Sequence, residues 1–140
     1  MKRIYLSSIA SLLVLFLFSC QSRSDEAKED SSEVIMKFTE TIHNFGTIPY
    51  ESDGRCYFEF TNNSNEPLVV NTVRTSCGCT RPEWPKEPVH PGEKGRIGVS
   101  YNTKISGTFQ KSITVYSNAK NSPVKLFIKG TVEENMEEKL

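Results

Sequence analysis

The sequence predicts an all-β domain, an antiparallel sandwich of two sheets, and three observations predict it. From Val34 onward, apolar and polar residues alternate with the period of a strand and not with that of a helix. Turn signals punctuate the runs at Ser52-Asp53-Gly54, Pro91-Gly92, Ser106-Gly107 and Ser117-Asn118. Each run leaves one face polar, as two sheets packed face to face require. About seven short strands in about 100 residues, with no convincing helix, specify the immunoglobulin-like form of this sandwich.

The segment before the domain reads as a signal peptide followed by a disordered tether. Lys2 and Arg3 form a positive start, and Ile4 to Phe18 is mostly apolar. Some fifteen helical residues span about 22 Å, short of the roughly 30 Å of a bilayer core, so a cleaved leader over residues 1–19 fits better than a membrane span. Leu17-Phe18-Ser19-Cys20 resembles a lipobox, with Phe18 bulkier than the usual spacer. On that reading Cys20 is the lipidation site, and its acyl chains hold the protein to a membrane. The alternative is an ordinary leader cut near Ser19 that leaves Cys20 a free thiol. Residues 20–33 then form the lipidated cysteine and a polar tether, too hydrophilic to bury a core. Its Ser24-Asp25-Glu26 cluster also resembles a surface-export signal of Bacteroidota-type lipoproteins. The expected location is the outer membrane, facing either the periplasm or the cell surface.

The domain is expected over residues 34–133. "VIMKFT" aligns Val34, Met36 and Phe38, and "RCYFEFTN" aligns Cys56, Phe58 and Phe60 before the turn-rich "NNSNEP". "LVVNTVRT" is β-branched, and "RIGVSY" aligns Ile97, Val99 and Tyr101. "FQKSITVY" aligns Phe109, Lys111, Ile113 and Val115, and "VKLFIKGTV" aligns Val124, Leu126, Ile128, Gly130 and Val132. The acidic end, residues 134–140, is expected to fray. Between Cys79 and Gly95, prolines fall at every third position, 82, 85, 88 and 91, which suits a polyproline II rod. Trp84 lies within it, either packed across an end of the sandwich or exposed as an aromatic-proline ridge that contacts a partner. On the second reading Trp84, Pro82, Pro85 and Pro88 are the partner-binding residues.

Composition excludes several classes of function. The chain has 17 basic and 17 acidic residues and a formal net charge of zero, and the leader carries two of the positive charges away. No nucleic acid is therefore expected as a partner, because that requires a basic footprint. Nucleophile elbows, phosphate-binding glycine loops and His-Glu metal helices are absent from the sequence. Glu59, Glu83 and Glu87 could supply an acid–base pair, but charges on the wet faces of strands are commonly just solvated. The protein is not expected to be an enzyme, and no cofactor is expected.

"HNFGTI" (43–48), "FEFTNNSNEPLVV" (58–70), "SCGCTRPEWPKEPVHPGEKGRIGVSYN" (76–102), "GTFQKSITVYSNA" (107–119) and "LFIKGTV" (126–132) together resemble the domain-of-unknown-function 1573 family. The resemblance covers about residues 36–133, and Ser76-Cys77-Gly78-Cys79-Thr80 is its most specific element. It implies a lipoprotein of Bacteroidota type and a fold similar to the Hydin and major-sperm-protein group of immunoglobulin-like modules. It implies no particular activity, and relatives of that fold mostly act as interaction modules. Cys56 lies outside the family's usual pattern.

Three thiols remain after Cys20, and an oxidising envelope favours disulfides. Cys77 and Cys79 flank Gly78, which lets the chain turn tightly enough for a Cys77–Cys79 disulfide. A bond from Cys56 to either of them, or reduced thiols, are the competing arrangements. A thiol-based redox centre lacks the helix N-terminus that lowers a thiol's pKa. A soft-metal site for copper or zinc could draw on Cys56, Cys77, Cys79 and His90. His43, beside Phe45-Gly46, suits a hydrogen-bonding role at a strand end. The functional expectation is a cell-envelope lipoprotein whose domain is a non-catalytic binding or assembly module for an envelope protein or glycan. The redox or soft-metal protein is the alternative.

Overall fold

The computed structural model describes residues 33–134. Eight strands occur in this span: β1 (Met36–Phe38), β2 (Ile42–Ile48), β3 (Arg55–Asn62), β4 (Val70–Thr75), β5 (Thr80–Glu83), β6 (Lys94–Tyr101), β7 (Gly107–Ser117) and β8 (Val124–Val132). They form two four-stranded sheets, ordered β1-β3-β6-β5 and β2-β8-β7-β4. The leader, Cys20, the tether as far as residue 32 and residues 135–140 lie outside the described residues.

Alternation builds the core. Phe58 and Phe60 of β3 and Ile97 and Val99 of β6 face Ile113 and Val115 of β7 and Leu126 and Ile128 of β8, and none of the eight is more than 2% exposed. The burial of β3 alternates residue by residue from Arg55 to Phe60. Each buried side chain of this size contributes about 1.5–3 kcal/mol relative to an exposed one. Lys111, on the inward register of β7 opposite Ile128, is half-buried. Gly95 and Gly130 make room for neighbours. A Cβ on Gly95 would meet Phe60 Cζ at 2.3 Å, and one on Gly130 would meet the Gly46 carbonyl oxygen at 2.9 Å.

Two expectations need correction. The sandwich is not wholly antiparallel, because β2 pairs with β8 in parallel while every other pairing is antiparallel. The chain leaves β1 in one sheet and crosses through Thr39 to Thr41 to the edge of the other, so β2 arrives running the same way as β8. A register irregularity between Asn44 and Thr47 accommodates Gly46, whose φ is 67°. The second correction concerns the prolines, which do not line one rod. Pro82 lies inside β5, opposite Val99, and Val89 is tied to Leu68 by reciprocal hydrogen bonds of 2.9 and 2.8 Å. Pro82 is tolerated because β5 is an edge strand. Asn102 N–H donates to the Cys79 carbonyl at 2.9 Å, and ladder alternation then points position 82 away from β6. His43 is the second residue of β2, opposite Ile128. Its ring meets Phe45 edge-on at 4.6 Å, and its Nδ1 lies 3.6 Å from a Glu40 carboxylate oxygen.

Candidate functional site

The Cys77-Gly78-Cys79 turn joins the ends of the two sheets. Ser76 N–H donates to the Ser112 carbonyl on β7 at 3.0 Å, and Asn102 N–H beyond β6 donates to Cys79. The Thr75 hydroxyl donates to the carbonyls of Cys77 at 2.9 Å and Thr80 at 3.1 Å. Within this frame the Cys77 and Cys79 sulfurs sit at disulfide distance, with Cα atoms 5.3 Å apart. Gly78 is not in the left-handed region, and a Cβ on it would point into open space. Its freedom is therefore not what shapes the turn, contrary to the expectation from the motif; the hydrogen bonds to both sheets do that.

The possible soft-metal set is not brought together. Cys56 is buried on the inward face of β3, 5% exposed, and is a free thiol. His90 is exposed beside the far end of β3, where Asn62 N–H donates to the Glu93 carbonyl. Among the described residues no group of three or more His, Cys, Asp or Glu side chains is placed to hold a metal ion. Glu59 and Glu83 lie on strands separated by β6, and Glu59 pairs with Lys94 at 2.7 Å on an exposed face.

Trp84 immediately follows β5. It is half-buried and packs against the rim of the core, and the ammonium of Lys86 lies 3.3 Å from its ring centroid. Pro82 and Pro85 are half-buried, and Pro88 and Pro91 are exposed. The tryptophan is thus neither sealed inside nor free of the core.

Alongside this segment lies a trough that the sequence did not single out. Outward positions on β6 carry small side chains, Gly98 and Ser100, followed by Asn102 just past the strand. On one side β3 supplies Arg55 opposite Ser100 and Tyr57 opposite Gly98. On the other, β5 supplies Arg81 opposite Ser100 and Glu83 opposite Gly98. The trough holds an open cavity of about 290 Å³ over Gly98 and Ser100. A second, of about 380 Å³, lies beside Gly78, Cys79 and Lys104, and Arg81 and Ser100 line both. Arg55 lies 3.8 Å from Asp53, with both side chains mostly exposed. The hydrogen bond from Lys104 to Glu51, then the charge of that carboxylate, raises the lysine's pKa. Burial raises that of Tyr101, which stacks on Phe109 with centroids 3.8 Å apart. Alternation places Gly98 and Ser100 on a wet face, but β5, with its internal proline, carries no strand signal, so the second wall was illegible.

Among solved structures, a protein of unknown function from Porphyromonas gingivalis W83 aligns with a TM-score of 0.64 at 12% identity, over 76% of this chain and 51% of that one. The chain thus spans about half of that protein's length. The PapD-like domain 7 of human CEP192 aligns at 0.59 and 9% identity, over 77% of this chain and 90% of that domain. The VesB protease of Vibrio cholerae aligns at 0.54 and 12% identity, over 74% of this chain and 32% of the protease. At these identities the likeness concerns the fold alone, which is of the PapD-like, immunoglobulin type. No curated protein matches the sequence. The model of a family described as protein of unknown function (DUF1573) matches residues 36–132, nearly the whole β-sandwich, and the chain belongs to that family.

Proposed function

We propose that this protein is an envelope lipoprotein, anchored through Cys20 in the outer membrane, whose sandwich is a non-catalytic binding or assembly module. Its contact surface is the β5 edge and the segment from Thr80 to Pro91, with Trp84 as the anchor and Pro82, Pro85 and Pro88 beside it. The supporting observation is the placement of the chain's single tryptophan. It lies half-exposed at a sheet edge, held against the core and capped by the Lys86 cation. A large aromatic ring fixed in position loses little side-chain entropy on binding, which suits an interface anchor. The partner is an envelope protein or glycan. Crosslinking in intact cells followed by affinity purification tests this. A Trp84→Ala variant that keeps the β-sheet circular dichroism of the parent is expected to lose the crosslinked partner. A folded variant that retains the partner overturns the surface assignment. If the variant unfolds, Lys86→Glu, which alters the same surface from an exposed position, takes its place with the same two outcomes.

A further inference from the structure

We infer that the trough on the outer face of β3, β6 and β5 binds an extended acidic peptide segment, with its carboxylates held between Arg55 and Arg81. This rests on the reading of the domain as a binding module, and names the chemistry of what is bound.

Register carries the argument. Arg55 and Arg81 flank Ser100 on the two neighbouring strands, which puts their backbones about 10 Å apart with a small hydroxyl side chain between them. Like charges gathered on one sheet face repel each other, and the fold gains nothing from the arrangement. Among the described residues Arg81 has no ion pair, side-chain hydrogen bond or ring contact, and the pairing of Arg55 with Asp53 is long and solvent-exposed, hence weak. Two guanidinium forks on either side of a hydroxyl form an arrangement that a carboxylate satisfies, through paired charge-assisted hydrogen bonds.

Shape and the state of the aromatic rings narrow the ligand. From Gly98 to Asn102 the floor runs about 13 Å along β6, the length of about four extended residues and too long for a lone inorganic anion. Sugars are commonly held by a free aromatic face; Tyr101 offers none, and Tyr57, although 51% exposed, already shares its ring with a guanidinium. Tyr57 lies against Gly98 with the Arg96 guanidinium 4.7 Å from its ring centroid, and Tyr101 is buried in its stack on Phe109. A peptide with a carboxylate near Ser100, between Arg55 and Arg81, fits both observations. Glu83 stands beside Gly98 and repels a second carboxylate there, which orients the acidic end toward Arg81.

The test is fluorescence-anisotropy titration of the full-length, detergent-solubilised protein with labelled hexaglutamate, hexaglutamine and a hexagalacturonate of matched charge. Hexaglutamate is expected to bind and hexaglutamine not. Arg81→Ala should weaken binding about tenfold, as loss of a charge-assisted pair does. Glu83→Gln should tighten it about twofold to threefold by removing the repulsion. Gly98→Ala should weaken it without unfolding the domain, because the new Cβ would approach only Glu83 Cβ and the Tyr57 ring, at 3.4 Å. Lys125→Ala, on a different sheet, should change nothing. Equal losses from Arg81→Ala and Lys125→Ala would reveal unspecific charge attraction and overturn the inference. Tighter binding of hexagalacturonate than of hexaglutamate would overturn it in favour of an acidic glycan. If no probe binds while crosslinking still recovers a partner lost in Trp84→Ala, the trough fails and the binding-module reading stands. If both fail, the module reading falls with it.

Discussion

Cys56 illustrates how burial sets chemistry at a single residue. It faces inward on β3, and burial first, with the Glu40 carboxylate second, pushes its thiol from an ordinary 9.0 up to about 12. Such a thiol stays protonated near neutrality, and the thiolate is the form that attacks disulfides and binds metals. In the native protein at pH 8, Cys56 is therefore expected to resist iodoacetamide, and to label rapidly once guanidinium unfolds the chain. Native labelling at the rate of a free thiol would refute its burial. The same shift has a pH signature. Because the folded pKa is the higher, the folded state holds the proton more tightly between about pH 9 and 12, so this stabilisation is complete below 9 and is lost as pH rises toward 12. The denaturation midpoint should fall across that window, and Cys56→Ala, although less stable overall, should show a shallower fall.

At the scale of elements, two ties hold turns to the sheets. Asn62, fully buried at the end of β3, donates through Nδ2 to the carbonyls of Glu66 and Val89, both at 2.8 Å. Its Oδ1 accepts from the Ser64 N–H at 3.1 Å and the Ser64 hydroxyl at 2.7 Å. Asn62→Ala strips these groups of a partner while leaving them buried, and chemical denaturation should register a loss of about 2–4 kcal/mol. Asn62→Asp, which keeps only the acceptor, should also destabilise. The other tie is the Cys77–Cys79 turn, an intrachain staple on our reading. Closing so short a loop removes little chain entropy, so Cys77→Ser should cost about 1–2 kcal/mol at most. Mass analysis of the denatured domain after alkylation should show one label before reduction, at Cys56, and three after it. A first label at Cys77 or Cys79 would mean that Cys56 is bonded. Gly78→Ala should leave both the fold and the labelling pattern unchanged, since nothing crowds its Cβ position.

For the whole molecule, the proposed anchor decides where the sandwich works. Replacing Cys20 with Ala should release the protein from the membrane fraction and leave its precursor uncut by the lipoprotein peptidase; unchanged processing and retention would sink the anchor. The fold itself was largely legible in the sequence. Phe58, Phe60, Ile97, Val99, Ile113, Val115, Leu126 and Ile128 were assigned to inward faces by alternation alone, and all are buried. Burial against a flat layer imposes a period of two on each strand separately, so a local pattern suffices to read it. The polar turn after β3 was legible from its turn-forming residues, although the role of Asn62 within it was not.

The sequence by itself thus determined which segments are strands with a strong hydrophobic alternation, which way their side chains face, and the family of the sandwich. Tertiary structure alone decided who neighbours whom. Alternation is identical for parallel and antiparallel partners, so nothing local announced that β2 would run parallel to β8. Nothing local made Thr80–Glu83 a strand either; the open edge of β6, and a register that turns Pro82 outward, did that. The trough exists only because β3 and β5, distant in sequence, both pair with β6 and bring Arg55 and Arg81 to either side of Ser100. Period-two burial is a property of each strand, whereas adjacency is a property of the assembled sheet, fixed by the packing of all its strands at once.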